Sequence, residues 1–220
     1  MALDKDIVGS IEFLEVEGLQ GSTYLLKGPN GEQVKLNQSE VADEDEFEIG
    51  EEYSFFVYPN RSGELFATQN MPDITKDKYD FAKVLKTDRD GARIDVGLPR
   101  EVLVPWEDLP KIKELWPQAG DYLLVTLRID SNNQMFGRLA SETIVEGMFT
   151  PVMDDSKQNE MIEARAYRLL RVGSFLLSED GYKIFAHESE RKQEPRLGEK
   201  VEVRIIGHND KGELLSLIHI

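Results

Sequence analysis

The 220-residue chain contains no cysteine. Disulfides, thiol nucleophiles, zinc–thiolate sites and iron–sulfur clusters are thereby excluded. The absence fits a reducing compartment. Long apolar runs are missing as well. No stretch approaches the roughly 20 residues that a membrane-spanning helix needs. The start of the chain, Met1-Ala-Leu-Asp-Lys-Asp-Ile7, lacks the basic opening and apolar core of a signal peptide. The expectation is a soluble, cytoplasmic protein with no membrane contact.

Positive charge is also scarce. Lysine and arginine total 26 against 42 acidic residues, for a net charge of -16. That excludes a uniformly basic chain that coats phosphate backbones, and a polybasic membrane-surface protein. The deficit is uneven. Residues 1–72 carry net -11, residues 73–147 net -3 and residues 148–220 net -2. A local basic face remains open to the last two thirds.

Catalytic signatures are thin. The three histidines, His187, His208 and His219, have no metal-ligand spacing. No phosphate-binding glycine loop and no Gly-x-Ser-x-Gly elbow occurs. The acidic run from Asp43 to Glu48 lacks the ligand spacing and central glycine of a calcium loop. No metal, cofactor or catalytic residue is expected, and the chain reads as a non-enzyme.

What is present is a repeat. Gly50-Glu-Glu-Tyr, Gly120-Asp-Tyr-Leu and Gly198-Glu-Lys-Val each open an apolar, partly alternating strand after a turn. Each strand ends in a polar turn and a second short apolar stretch, beginning at Leu65, Met135 and Leu214, 15, 15 and 16 residues after the glycine. Upstream of each glycine lie three more strand candidates. In the first unit Gly28-Pro-Asn-Gly31 joins two of them, a hairpin signal. In the second, Asp88-Arg-Asp-Gly91 leads into Ala92-Arg-Ile-Asp-Val96, which alternates as a half-buried strand should. In the third, Asp180-Gly181 precedes Tyr182-Lys-Ile-Phe185.

Three strands, a connector and two strands define a small Greek-key barrel, the OB-fold. The expected architecture is mainly β: three tandem five-stranded OB-fold barrels with short helical connectors. The boundaries read as residues 1–71, 72–146 and 164–220, with a linker over 147–163. The second connector, Glu107 to Trp116, places Leu109, Ile112, Leu115 and Trp116 near one helical face before Pro117, and so predicts a short helix.

The third unit carries the most recognisable pattern. Gly173-Ser-Phe175 precedes Phe185-Ala-His187-Glu-Ser-Glu190, and Gly198-Glu-Lys-Val201 follows. This resembles the S-one-type RNA-binding OB domain of ribosomal proteins, in which exposed aromatic and histidine side chains stack on RNA bases. The resemblance implies RNA contact through Phe175 and His187, with Arg171, Lys183 and Arg204 as nearby cations. Two readings of Phe175 stand, a stacking platform and a core residue; His187 is expected at the surface. Stacking contributes roughly 1–3 kcal/mol per base and tolerates any sequence, because every base has a π-face.

The second unit offers Val104-Pro-Trp106-Glu107 in place of the histidine motif, so Trp106 stands either as a platform or as packing beneath the connector. Lys86, Arg89, Arg93 and Arg100 are candidates for a phosphate-facing patch, against the plainer reading of a solvated strand face. In the first unit Asn37-Gln-Ser-Glu40 occupies the motif's place. With its acidity, this unit is expected to contact protein partners or to orient the other units rather than to bind RNA strongly.

Over its whole length the chain resembles the conserved virulence factor B family of bacterial RNA-binding regulators. Asp95-Val-Gly-Leu-Pro99, Leu115-Trp-Pro117, Gly120-Asp121, Glu188-Ser-Glu-Arg191 and Glu194-Pro-Arg-Leu-Gly198 carry the resemblance. It implies three tandem S-one-type domains, single-stranded RNA as partner and influence on virulence-related gene expression, with no catalytic activity. It also implies a winged-helix domain beyond the third unit. The chain stops at Leu215-Ser-Leu-Ile-His-Ile220, so that domain is expected to be lacking.

Overall fold

The computed structural model describes residues 7–41 and 47–218. Asp43 to Glu46 and His219 lie outside the described residues. Among the described residues fifteen strands form three closed five-stranded barrels. The first contains β1 (Ile11–Gln20), β2 (Thr23–Lys27), β3 (Gln33–Asn37), β4 (Glu52–Pro59) and β5 (Leu65–Thr68), in the order β1-β2-β3-β5-β4. The second contains β6 (Asp80–Asp88), β7 (Gly91–Asp95), β8 (Val102–Pro105), β9 (Tyr122–Ile129) and β10 (Met135–Leu139). The third contains β11 (Met161–Leu170), β12 (Gly173–Ser178), β13 (Lys183–Arg191), β14 (Lys200–His208) and β15 (Leu214–Ile218), in the order β11-β12-β13-β15-β14. In the first and third barrels, strand three meets strand five in parallel and every other pairing is antiparallel.

By compactness the chain falls into two units. One is Met1–Asp80 with Asp95–Leu103 and Thr126–Arg138; the other is Phe81–Ile94 with Val104–Val125 and Leu139–Ile220.

Alternation builds these strands. In β14 Val201, Val203 and Ile205 point inward while Glu202 and Arg204 face solvent. In β3 Val34 and Leu36 are buried between exposed Gln33 and Lys35. A slip of one residue would expose the whole apolar set, so burial fixes the register. The third barrel's core joins Leu176, Ile184, Ala186, Val203, Ile205 and Leu214. Truncating a core leucine or isoleucine of this kind to alanine costs about 2–5 kcal/mol.

Two local expectations are corrected. The connector after β8 is not one helix but two single 3-10 turns, Trp106–Asp108 and Lys113–Leu115. Pro110 lies between them and has no N–H to continue a helical ladder, and Ile112 is left 56% exposed. The stretch read as linker over 147–163 is also shorter at its end. β11 begins at Met161, because Ile162 pairs with Val203 and packs on the third core. Before it, α1 (Glu142–Met148) buries Val145, and Asp154 to Asn159 makes an exposed 3-10 turn.

Candidate nucleic-acid interface

β12 and β13 pair with Phe175 opposite Phe185 and Gly173 opposite His187. The period of two puts Ser174, Leu176, Ile184 and Ala186 inside and turns Phe175, Phe185 and His187 to the outer face. The ring centroids of Phe175 and Phe185 lie 4.9 Å apart, and the edge of His187 meets Phe185 at 6.3 Å. Tyr167 of β11 extends the row, 6.3 Å from Phe175. His187 is exposed, whereas Phe175 and Phe185 are half-buried. Aromatic neighbours at such separations hold one another's orientation.

Gly173 makes room for this row. A Cβ there would fall 2.4 Å from the Ala186 carbonyl oxygen and 2.6 Å from the Phe185 ring. At the other end the Ser189 N–H donates to His187 Nδ1 at 3.2 Å, and the Ser189 hydroxyl lies 2.9 Å from the same atom. Nδ1 is thereby occupied by the protein, which fixes the imidazole plane at the end of the row.

Lys183 departs from its expected role. It is 1% exposed. Its ammonium lies 2.5 Å from Glu213, pairs with Glu142 and approaches Glu146 at 4.0 Å. Arg168 also binds Glu142, at 2.9 Å, and Tyr167 donates its hydroxyl to Glu142 at 3.2 Å. Lys183 therefore ties α1 and the start of β15 to the barrel and is closed to a phosphate. Burial pushes the Glu142 and Glu213 carboxyls up, but hydrogen bonds from Lys183, helped by Arg168 or Asn209, outweigh it and hold both below the ordinary value. Burial lowers Lys183, and its bonds to Glu142 and Glu213 outweigh that and raise it. Desolvation and the Glu142 charge raise Tyr167 far above the ordinary phenol value, so it stays a neutral donor. The Lys183 ammonium and the Arg168 guanidinium sit 5.4 and 5.9 Å from the centre of the Phe175 ring. Phe175 is thus an outer-face ring that is also packed against its neighbours.

Arg171 stands exposed in the turn between β11 and β12, next to the row. Arg204 does not join it. It lies on β14, beyond β11, opposite Met161, and donates to Asn159 at 2.8 Å. Strand order decided this, and proximity in sequence to Gly198 gave no warning.

One hydrogen bond recurs in all three barrels and aligns them. Gln38 N–H donates to Ser22 at 2.9 Å, Trp106 N–H to Asp90 at 3.0 Å, and Glu188 N–H to Val172 at 3.1 Å. His187 therefore corresponds to Asn37, as expected, and to Pro105. Trp106 corresponds to Glu188, one residue beyond the histidine position, although it is 53% exposed. Counted the same way, the three outer positions are Leu25, Lys35 and Asn37 in the first barrel. They are Arg93, Leu103 and Pro105 in the second, and Phe175, Phe185 and His187 in the third. Arg93 is held by Asp88 at 3.7 Å and Asp90 at 3.8 Å, and Arg89 meets Asp90 at 3.5 Å. Lys86 is exposed on β6. The expected basic patch is therefore partly neutralised by its own turn. Phe185, which the sequence reading did not single out, completes the row; its position two before His187 on one strand was the available signal.

Three barrels of this topology, one with an outward aromatic row, define a tandem S1-domain protein of the nucleic-acid-binding class. Models of known families agree. An S1 domain matches residues 8–70, the CvfB first S1-like domain matches 79–138, and the second domain of virulence regulatory factor CvfB matches 148–218. Conserved virulence factor B of Staphylococcus epidermidis is 91% identical over 214 residues, 97% of this chain and 72% of that protein. The same factor of Staphylococcus aureus (strain USA300) is 85% identical, over 97% and 71%. The chain belongs to the conserved virulence factor B family. A solved multidomain protein with nucleic acid binding domains from Streptococcus pneumoniae is also similar, with TM-score 0.85 and 27% identity over 98% of this chain and 75% of that one.

Proposed function

We propose that this chain is a non-enzymatic, cytoplasmic RNA-binding regulator that holds single-stranded RNA on the outer face of β12 and β13. The observation that carries the reading is the Phe175–Phe185–His187 row, whose places are taken by Leu25, Lys35 and Asn37 in the first barrel and by Arg93, Leu103 and Pro105 in the second. Phe185 and His187 offer base-stacking surfaces, and Arg171 at the end of the row supplies charge to a phosphate. Among the described residues no helix is long and apolar enough to cross a membrane, and no cluster of His, Asp or Glu could hold a metal. The test is anisotropy of a fluorescent single-stranded RNA at two salt concentrations, with the Phe185→Ala/His187→Ala pair as control. Affinity that falls with salt and with the double substitution supports the reading. Folded protein that binds no RNA at low salt overturns it.

A second reading has its own observation. On the first barrel Phe13 is 68% exposed beside Glu12, Glu15 and Glu52. An apolar anchor rimmed by carboxylates suits a protein partner that carries basic residues. Partners captured from nuclease-treated lysate by this chain, and lost with Phe13→Ser, would support it.

A further inference from the structure

A bulge in β11 brings one more cation to the aromatic row. The register with β12 shifts between Ala166 and Arg168, so Tyr167 is the extra residue and Arg168 lies opposite Phe175. Unshifted pairing would set Arg168 opposite Ser174, which faces the core and is fully buried. A guanidinium there would have to leave water for an apolar interior. The bulge turns it outward instead, 5.9 Å from the centre of the Phe175 ring.

This guanidinium is lightly held. Its Nη1 donates to Glu142, the first residue of α1, at 2.9 Å, and among the described residues that is its one side-chain hydrogen bond. The Arg168 side chain is 42% exposed and that of Glu142 24%, so the pair can be reached from solvent. Glu142 does not depend on it. The same carboxylate binds the Lys183 ammonium and accepts from the Tyr167 hydroxyl at 3.2 Å. Withdrawing Arg168 therefore leaves Glu142 paired and strands no buried charge. An ion pair this exposed contributes little to stability. A phosphate offers more, because the planar fork of arginine matches two of its oxygens.

We propose that Arg168 is a phosphate ligand of the aromatic row, and that Glu142 holds it in reserve until a phosphate of RNA takes the carboxylate's place. The proposal rests on the reading that single-stranded RNA lies on β12 and β13. It adds the residue that meets the backbone beside Phe175, while Arg171 stands at the His187 end, in the turn before Gly173. It also gives α1 a part in binding, since a strand that engages Arg168 must part it from Glu142.

Anisotropy titrations of a fluorescent single-stranded RNA with the whole 220-residue chain, over a range of salt, provide the test. Glu142→Gln keeps the shape of the side chain and removes the charge that competes with phosphate. It should bind RNA about threefold more tightly. Arg168→Gln should bind about tenfold more weakly. Its slope of log affinity against log salt should shrink by about 0.7, one phosphate contact fewer. In the double variant the gain from Glu142→Gln should vanish. Mere support of the Phe175 ring would lower affinity in both single variants and leave the slope unchanged. Lys200→Gln, which breaks an exposed pair with Glu163 away from the row, should leave affinity within about twofold and the slope unaltered. Folded Glu142→Gln that binds no more tightly than the parent overturns the proposal, as does an Arg168→Gln slope equal to the parent's. If Glu142→Gln does not fold, the Arg168→Gln slope decides alone. Parent protein that binds RNA through Phe185 and His187 and is indifferent to Arg168 overturns this inference and leaves the proposed function standing. Parent protein that binds no RNA overturns both.

Discussion

The third and first barrels share topology, register and the hydrogen bond that closes strand three, yet their outer faces differ in kind. The third presents Phe175, Phe185 and His187; the first presents Leu25, Lys35 and Asn37 at the same places. Inside, both repeat one pattern: Ser174, Leu176, Ile184 and Ala186 against Tyr24, Leu26, Val34 and Leu36. The interior is constrained because an apolar set must stay out of water. The exterior carries no such constraint and is free to differ. The charge of residues 1–72, net -11, widens the difference, since a phosphate backbone is repelled there.

The sharpest way to break the comparison is Lys183. Its counterpart by register in the first barrel is Gln33, opposite Lys27 and exposed. Lys183→Met leaves Glu213 without its ammonium partner and Glu142 with Arg168 alone, and should destabilise the third barrel by about 3–5 kcal/mol. Gln33→Met should change stability by no more than about 0.5 kcal/mol. Urea denaturation followed barrel by barrel by hydrogen exchange distinguishes the two; equal losses would dissolve the contrast.

Gly173→Ala comes next. The added methyl meets the Ala186 carbonyl and the Phe185 ring, at a cost of about 1–3 kcal/mol. Its counterpart Thr23 already bears a Cβ, so Thr23→Ala should be mild. Thermal midpoints of the two variants measure this.

Binding should follow the aromatic row. Phe185→Ala is expected to weaken single-stranded RNA by roughly 1–3 kcal/mol. Lys35→Phe with Asn37→His, which copies part of the row onto the first barrel, should gain far less, because the surrounding acids remain. Anisotropy titrations that showed equal gain and loss would mean that stacking alone decides affinity.

Acid should separate the barrels further. Glu142 and Glu213 are held below their ordinary pKa by partners in the folded state. Their stabilisation is present above the ordinary glutamate pKa and is lost as pH falls below it through the lowered folded value. The raised Lys183 contributes below its unfolded pKa and loses that contribution only in strong alkali. Protection of third-barrel amides should therefore drop on acidification, and the drop should shrink in Lys183→Met. The smallest effect belongs to Arg204→Gln, which should leave RNA affinity within about twofold because β14 lies off the row.

Much of this was legible in sequence. Alternation and the Gly-acid strand openings gave the repeat, and a turn with Gly181 gave the β12–β13 hairpin. His187 and its first-barrel counterpart Asn37 were placed by motif alone. Trp106 was misplaced by one residue because Pro105 and Trp106 are equally compatible with the end of a short strand; the Trp106 N–H bond to Asp90 resolves it. The connector helix failed at Pro110, whose missing N–H outweighs the spacing of Leu109, Ile112 and Leu115.

The sequence by itself determined where strands run and which faces are buried, since hydrophobic alternation is a local property. Only the tertiary structure decided which cations are usable. Lys183, Arg204, Arg93 and Arg100 are alike as letters. The first is spent on Glu142 and Glu213, the second lies beyond β11, the third is held by its own turn, and the fourth is half-buried with its Nε closed to solvent. The charge of a residue is fixed by its chemistry, but its availability depends on burial and on neighbours distant in the chain, and strand pairing alone brings those together.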